Sequence, residues 1–362
     1  MNVLLLLLIF VPTIIITAIT PYITRKTESF GISIPAEMYH NETFAHFRKK
    51  YALLTSVIGV VFMIIMLVPY SFVAENVWAI IFTVTIFTYL IGSFFVYLYF
   101  HNQMKKLKAE KRWHDTLPQA MVMDTSFNKQ KKTYSNRWFL LPLLLMLGTV
   151  LLTFIFYDKF PERLPMHYDL QGNVTDWSEK SVGTLLMFPL IQLFMTGLFF
   201  FTNFIISSSK QQIDPANPTE SMKQNLIFRR RWSLFTIISG TLIVALFSFA
   251  QLTFVVTVDS SLLLTLVFLP IGAIVIGAIV LTILTGQGGS RVKVATGKNG
   301  EKINRDDDRY WKLGVFYFNP EDPGTFVEKR FGSGWTMNMA RPLGWIFLIV
   351  VLLIPLAIAL LG

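Results

Sequence analysis

The chain has 362 residues, of which 53% are hydrophobic, a mean hydropathy of +0.53 and a formal net charge of +10 at pH 7. Soluble domains carry roughly 45–50% apolar residues, so the composition points to an integral membrane protein. The absence of cysteine excludes disulfides, thiolate catalysis and Cys-ligated metal.

A helix needs about 20 apolar residues to cross a hydrocarbon core of roughly 30 Å. Eight stretches approach or exceed that length: 3–20, 52–74, 77–100, 138–157, 184–206, 232–256, 261–284 and 343–361. A lipid-facing barrel would need strict apolar/polar alternation, which "LLLLLIFVPTIII" and "VIGVVFMIIMLV" lack. The expected fold is therefore an all-α integral membrane protein of about eight transmembrane helices with a small mixed cytoplasmic segment. Because "MNVLLLLL" has no basic start and Arg25 and Lys26 follow the first span, that span is expected to be retained rather than cleaved.

Between the spans, the basic residues divide unevenly. Loops 21–51, 101–137, 207–231 and 285–342 hold 29 of the 32 Lys and Arg residues, and the opposite side holds Lys159, Arg163 and Lys180. Cationic loops stay on the cytoplasmic side, so both termini are expected to face outward across a bacterial cytoplasmic membrane. The basic balance then reads as contact with the lipid bilayer, and no nucleic-acid partner is expected.

In the first loop, Asn41 is placed to cap a short helix with Phe44 and Phe47 on one face, lying along the headgroups. The second loop opens with an amphipathic basic half. The third is a turn-rich linker ending in a basic stop at Arg229–Arg231. In the segment 285–342, "RVKVA" alternates like a strand and Asn299-Gly300 signals a hairpin turn. Asp306, Asp307 and Asp308 read as a helix N-terminus. Trp311, Phe316, Tyr317, Phe318 and Trp335 are expected to face the membrane's inner surface.

Within the spans no ionisable side chain remains, which removes the usual equipment of coupled transport. "AIVIG" at 273–277 permits close helix packing, and Gln192 and Gln251 can bond across helices. Proteolytic chemistry finds no support: none of His40, His46, His101, His114 and His167 has a second His at the H-E-x-x-H spacing. No enzyme activity and no cofactor are expected.

The one substantial outward segment contains "LPMHYDLQGNVTDWSEK", residues 164–180. Pro161 and Pro165 stiffen its entry, and Gly172 with Asn173 supplies a turn. His167 and Asp169 share a side if the backbone is extended, but two ligands are too few for a metal site. Neither a nucleophile nor an oxyanion site accompanies them. A packed cap on the helix ends and a binding surface remain the two readings, and they are compatible.

This stretch resembles the signature of a bacterial family of multi-pass membrane proteins that includes SdpI, the immunity protein against the sporulation-delaying-protein toxin. The matching residues are Leu164, Pro165, His167, Gly172, Asp176, Trp177 and Lys180. "FGISIP" at 30–35 and the run from Tyr310 to Asn338 look similar to segments of longer members, which have more spans than SdpI itself. The resemblance implies envelope sensing, signalling or immunity towards an extracellular peptide, with Pro165, His167, Asp169, Gly172, Asp176, Trp177 and Lys180 as recognition residues and a cytoplasmic or membrane protein as a further partner. Two other readings stay open: a permease for an uncharged or amphipathic solute, lined by Gln192, Gln251 and span threonines, and an accessory subunit of a membrane complex.

Overall fold

The structure is a computed structural model and describes residues 3–68, 72–73, 75–111, 130–168, 174–213, 217–256, 258–294 and 307–361. Among the described residues, eight α-helices follow the apolar runs: α1 (Val3–Ile23), α2 (Glu42–Leu67), α3 (Glu75–Lys111), α4 (Leu140–Ile155), α5 (Val182–Ser208), α6 (Pro218–Leu252), α7 (Ser260–Thr285) and α8 (Pro342–Leu361). Among the described residues, six helical stretches are long and apolar enough to cross a membrane: Glu42–Leu67, Ile80–Lys111, Asn136–Ile155, Val182–Ser208, Pro218–Leu252 and Thr265–Gly289. Leu7–Ile23 and Pro342–Ile354 are shorter apolar stretches. This pattern suggests a multi-pass membrane protein.

Three helices extend well past the apolar runs, and the physical reasons are local. Asn41 does cap, its Oδ1 accepting from the Thr43 N–H at 2.9 Å, but the helix it starts is α2 itself, not a separate helix along the headgroups. Phe44 is buried and Phe47 packs against the same cluster. The basic half of the second loop is likewise the end of α3. α6 opens with Pro218 in its first turn, where the missing N–H costs nothing.

α4, α5 and α6 pack as one group, and α1, α2 and α3 as another around Phe10, Ile14, Met66, Trp78 and Tyr89. α7 lies against both α6 and α1. At its "AIVIG" stretch a Cβ on Gly277 would stand 2.9 Å from the Phe235 ring, so the small residue does permit a close crossing. α8 leans on α5 through Phe201 and Phe347, whose rings stack 4.1 Å apart.

Among the described residues, Arg25, Lys108, Lys210, Arg229 and Arg330 meet at one end of the bundle through Glu328, Asp307, Asp308 and Asp322. There β1 (Glu28–Ser29) and β2 (Ile32–Ser33) form a tight hairpin whose turn residues Phe30 and Gly31 both have positive φ, at 45° and 75°, as the twist of a two-residue hairpin demands. β5 (Trp311–Lys312) pairs with β6 (Phe316–Tyr317) around Leu313 and Gly314, also at positive φ. The two turns meet on α3. Tyr97 Oη donates to Leu313 O at 2.9 Å, and His101 Nδ1 lies 2.8 Å from Phe30 O. A Cβ on Gly314 would stand 2.6 Å from Tyr97 Oη, so only glycine allows this approach.

β7 (Phe326–Glu328) pairs with β8 (Trp335–Met337), and Asn338 ties the segment together by donating to Asn319 O at 2.8 Å while accepting from the Asn319 N–H at 3.0 Å. Two expectations for this segment are corrected. Residues 291–294 form no strand, and the aromatics do not share one surface: Trp311 and Tyr317 are buried together with Val327, whereas Phe316 and Phe318 are exposed. The Asn299-Gly300 turn lies outside the described residues.

Candidate functional site

At the N-terminal end of α5, away from those ion pairs, the described residues of the quoted stretch pair as antiparallel strands β3 (Arg163–Tyr168) and β4 (Val174–Glu179). Its register places Leu164 opposite Ser178, Pro165 opposite Trp177 and His167 opposite Asp176, with irregularities on either side of His167. Bulges of this kind re-aim side chains. Asp169 and Gly172 lie outside the described residues.

Alternation along β3 and β4 gives the hairpin two different sides. Leu164 is fully buried with Phe160 and Leu185, against Phe254 and Val255 from the α6–α7 connection. Trp177 is 52% exposed, and the Asp176 Oδ1 beside it accepts from the Trp177 N–H at 2.9 Å. Lys180 is committed to the base of the hairpin: its ammonium donates to Phe160 O at 3.2 Å and to Glu162 at 3.1 Å, and lies 5.0 Å over the Tyr157 ring. Ser181 then caps α5, its Oγ accepting from the Thr184 N–H at 3.0 Å.

The basic end holds a second constellation that the sequence reading missed. Glu328 is 0% exposed. Its Oε1 accepts from Asn225 Nδ2 at 2.7 Å and from Arg229 Nη2 at 3.1 Å, and its Oε2 pairs with Arg25. Arg229, read from the sequence as part of a basic stop, is also fully buried. It donates to Ile206 O at 2.7 Å and Ser209 O at 2.9 Å, closing the C-terminus of α5, and to Asn225 Oδ1 at 2.7 Å. Cations suit that end of a helix because its last carbonyls have no intrahelical partners.

The aspartates have a similar correction. Asp308 starts a short 3-10 helix, yet Asp307 and Asp308 both pair with Arg330, and Asp308 Oδ2 accepts from Lys108 at 2.6 Å. Asp306 lies outside the described residues. The signals that could have revealed these sites are local: Glu328 closes an apolar strand, and Asn225 and Arg229 stand four residues apart on one helix face.

Asp322 makes a further ion pair, with Lys210 Nζ at 2.7 Å. Burial alone would push its carboxyl up, but Lys210, the Gly324 N–H at 2.9 Å and Tyr317 Oη at 2.7 Å favour the charged form and hold it below the ordinary carboxylate range. A lowered native pKa means that this stabilisation is complete above the unfolded value near 3.8 and disappears as pH falls through the native value. The stability difference between the parent and Asp322→Asn should therefore be constant from pH 7 to about 5 and collapse below about 4. Denaturation series across that range would show a different origin if the gap persisted at the acid end.

Inside the bundle, Gln192 and Gln251 cross-link α4, α5 and α6 as expected. The Gln192 amide donates to Val244 O at 3.0 Å and Ser248 Oγ at 2.7 Å, and the Gln251 amide to Leu185 O at 3.0 Å and Thr153 Oγ1 at 2.5 Å.

Two family models match parts of the chain. Domain of unknown function (DUF1648) matches residues 144–193, which includes the hairpin and Gln192. Family of unknown function (DUF5808) matches residues 320–345, which includes Asp322, Glu328, Arg330 and Asn338. No curated protein and no solved structure matches the chain. Both models describe families without an assigned function, and their matches, one over the hairpin and one over the buried ion pairs, are consistent with an uncharacterised membrane family.

Proposed function

We propose that the chain is a non-enzymatic sensor of the bacterial cytoplasmic membrane, in which the β3–β4 hairpin meets an extracellular peptide and the segment at the basic end passes the event to a protein partner. The observation that carries this reading is the half-exposed Trp177 on a hairpin whose other side is seated on the helix ends. Exposed aromatics on rigid supports are the usual anchors of recognition surfaces. The resemblance of "LPMHYDLQGNVTDWSEK" to the SdpI-related family supplies the peptide as the ligand class.

A route between the two ends is available in α5 and α6. Near the hairpin they are joined by Gln251 and Leu185, and at the far end by Arg229 on the last carbonyls of α5. A peptide that favours one position of the hairpin would bias those terminal bonds, provided that it binds the two positions with different affinity. A photo-crosslinking residue placed at Trp177 in living cells should capture a peptide or protein, and one placed at buried Leu164 should not. Equal adducts at both positions, or none at Trp177, would argue against a recognition surface.

The orientation rests on the charge division. Because the chain has no cysteine, single cysteines at Gln171 and Asp259 should react with an impermeant thiol reagent in intact cells, and ones at Lys129 and Asn299 should not. Labelling at Asn299 from outside would reverse the assignment.

One observation favours the second reading, a permease for an uncharged or amphipathic solute. The Oε1 atoms of Gln192 and Gln251 are buried acceptors without a hydrogen-bond partner, which a polar solute could occupy. Under that reading Gln192→Leu would abolish uptake and leave Trp177 adducts unchanged.

A further inference from the structure

Arg48 presents an unsolved charge. It lies on α2, is 5% exposed, and makes no ion pair among the described residues. Its Nη2 donates to Tyr39 O at 2.7 Å, and the guanidinium rests 4.0 Å from the centre of the Tyr39 ring. Its Nη1 is buried and has no hydrogen-bond partner. Burying a cation without a counter-charge is costly, and a buried donor without an acceptor needs an explanation.

The position of Arg48 suggests the counter-charge. Leu53, Leu54 and Val57 on the same helix are exposed apolar residues, and Leu53 stands about 7–8 Å further along the axis at 1.5 Å per residue. Arg48 is therefore at the edge of the apolar belt, where phospholipid phosphates lie. Tyr39 connects it to the end of α1: Tyr39 Oη donates to Tyr22 O at 3.5 Å, and Arg291 Nη2 reaches the same carbonyl at 3.0 Å. Arg48 on Tyr39 and Arg291 on the carbonyl that Tyr39 also reaches thus belong to one corner of the bundle. Lys26, Lys49 and Lys50 are exposed nearby on the same loop and helix.

We propose that this corner, built from Arg48, Tyr39 and Arg291, holds the phosphodiester of an anionic phospholipid. Arg48 offers the free Nη1 to a phosphate oxygen as a charge-assisted bond, and Arg291, whose Nη1 and Nη2 donate to Ile283 O at 2.9 Å and Tyr22 O at 3.0 Å, adds positive charge to the same corner. The surrounding lysines select the sign of the headgroup, because a choline or ethanolamine ammonium would be repelled where a glycerol headgroup is accepted. Tyr39, which holds the guanidinium, belongs to the 3-10 helix Ala36–His40, in which no residue is buried and no side chain caps the N-terminus. A small outward movement of this turn admits the phosphate. The proposal rests on the membrane-spanning reading of the helices and is independent of peptide sensing.

The test uses the full chain, extracted in detergent, stripped of lipid and titrated with phosphatidylglycerol, phosphatidylcholine or inorganic phosphate, with bound lipid counted by native mass spectrometry. One phosphatidylglycerol per chain should be retained in preference to phosphatidylcholine. Arg48→Gln should bind it about fivefold more weakly, the effect of one basic residue at a membrane surface. Arg231→Gln removes the same charge from an exposed site on α6 and should bind as the parent does. Arg48→Lys keeps the charge without the guanidinium fork and should fall between; it also serves if Arg48→Gln does not fold. Equal retention of the two lipids, equal loss in Arg231→Gln, or displacement of the lipid by inorganic phosphate would overturn the assignment. Release of the chain from membranes by alkaline carbonate would instead remove the membrane reading beneath it.

Discussion

Replacing Glu328 by Ala is expected to lower the unfolding free energy by about 3–5 kcal/mol, the usual cost of removing one partner from a buried ion pair. The reason is what remains behind. Arg25 keeps some contact with solvent, its side chain being 13% exposed, so it can relax towards water. Arg229 cannot. Its guanidinium is locked on Ile206 O, Ser209 O and Asn225 Oδ1, and without Glu328 it stays buried and loses this buried counter-charge. Arg25→Ala should therefore cost less, about 1.5–3 kcal/mol as for a hydrogen bond to a charged group. The exposed Glu321 provides a control, since Glu321→Ala should stay within about 0.5 kcal/mol of the parent. Thermal or denaturant unfolding in detergent gives the ranking. If Glu328→Ala and Glu321→Ala unfold alike, the buried carboxylate is not what joins the segment to the bundle.

The consequence reaches function, because Glu328 and Arg229 join three pieces of chain, the residues after α1, the first half of α6 and the β7–β8 hairpin, beside the Thr24–Gly332 bond and the Phe228–Trp335 ring contact. The same arginine closes α5, whose other end supports the hairpin. A variant that loosens this node without unfolding the bundle should change the protease sensitivity of residues 307–341 while leaving the helices intact.

The sequence made the eight helices legible because long apolar runs have few other uses at this length. Helix ends were not legible, since α2, α3 and α6 continue as helices beyond the apolar belt, where hydropathy no longer marks them. The ionic node was hidden for a different reason. Arg25, Asn225 and Arg229 are separated from Glu328 by 303, 103 and 99 residues, and each cation taken alone resembles a topological charge. Composition alone presents the aromatics of the segment as one surface, and only the two-residue period of a strand divides them. Alternation along β6 puts Tyr317 inside and leaves Phe316 and Phe318 outside. The hairpin was more readable, because its prolines and turn residues implied an extended backbone, but the distinct roles of its two sides depend on the register.

That register yields the second large effect. Leu164→Ala should cost about 2–5 kcal/mol, as for other buried Leu to Ala changes, because Leu164 fills the space between Phe160, Leu185 and the α6–α7 connection. Trp177→Ala should barely move the melting temperature, because the ring is half exposed, but should lose about 2 kcal/mol or more of partner affinity if Trp177 is the anchor of the surface. The two substitutions therefore act on opposite sides of one small hairpin and separate folding from recognition. His167→Ala belongs with Trp177→Ala under the sensing proposal, since His167 pairs in register with Asp176 beside that tryptophan. Capture of the peptide should fall in both variants at normal abundance and normal melting temperature, while Leu164→Ala should lose abundance first and capture only in proportion. If Trp177→Ala and Leu164→Ala lose stability together and by similar amounts, the hairpin is a cap on the helix ends, and peptide recognition must be sought elsewhere on the molecule.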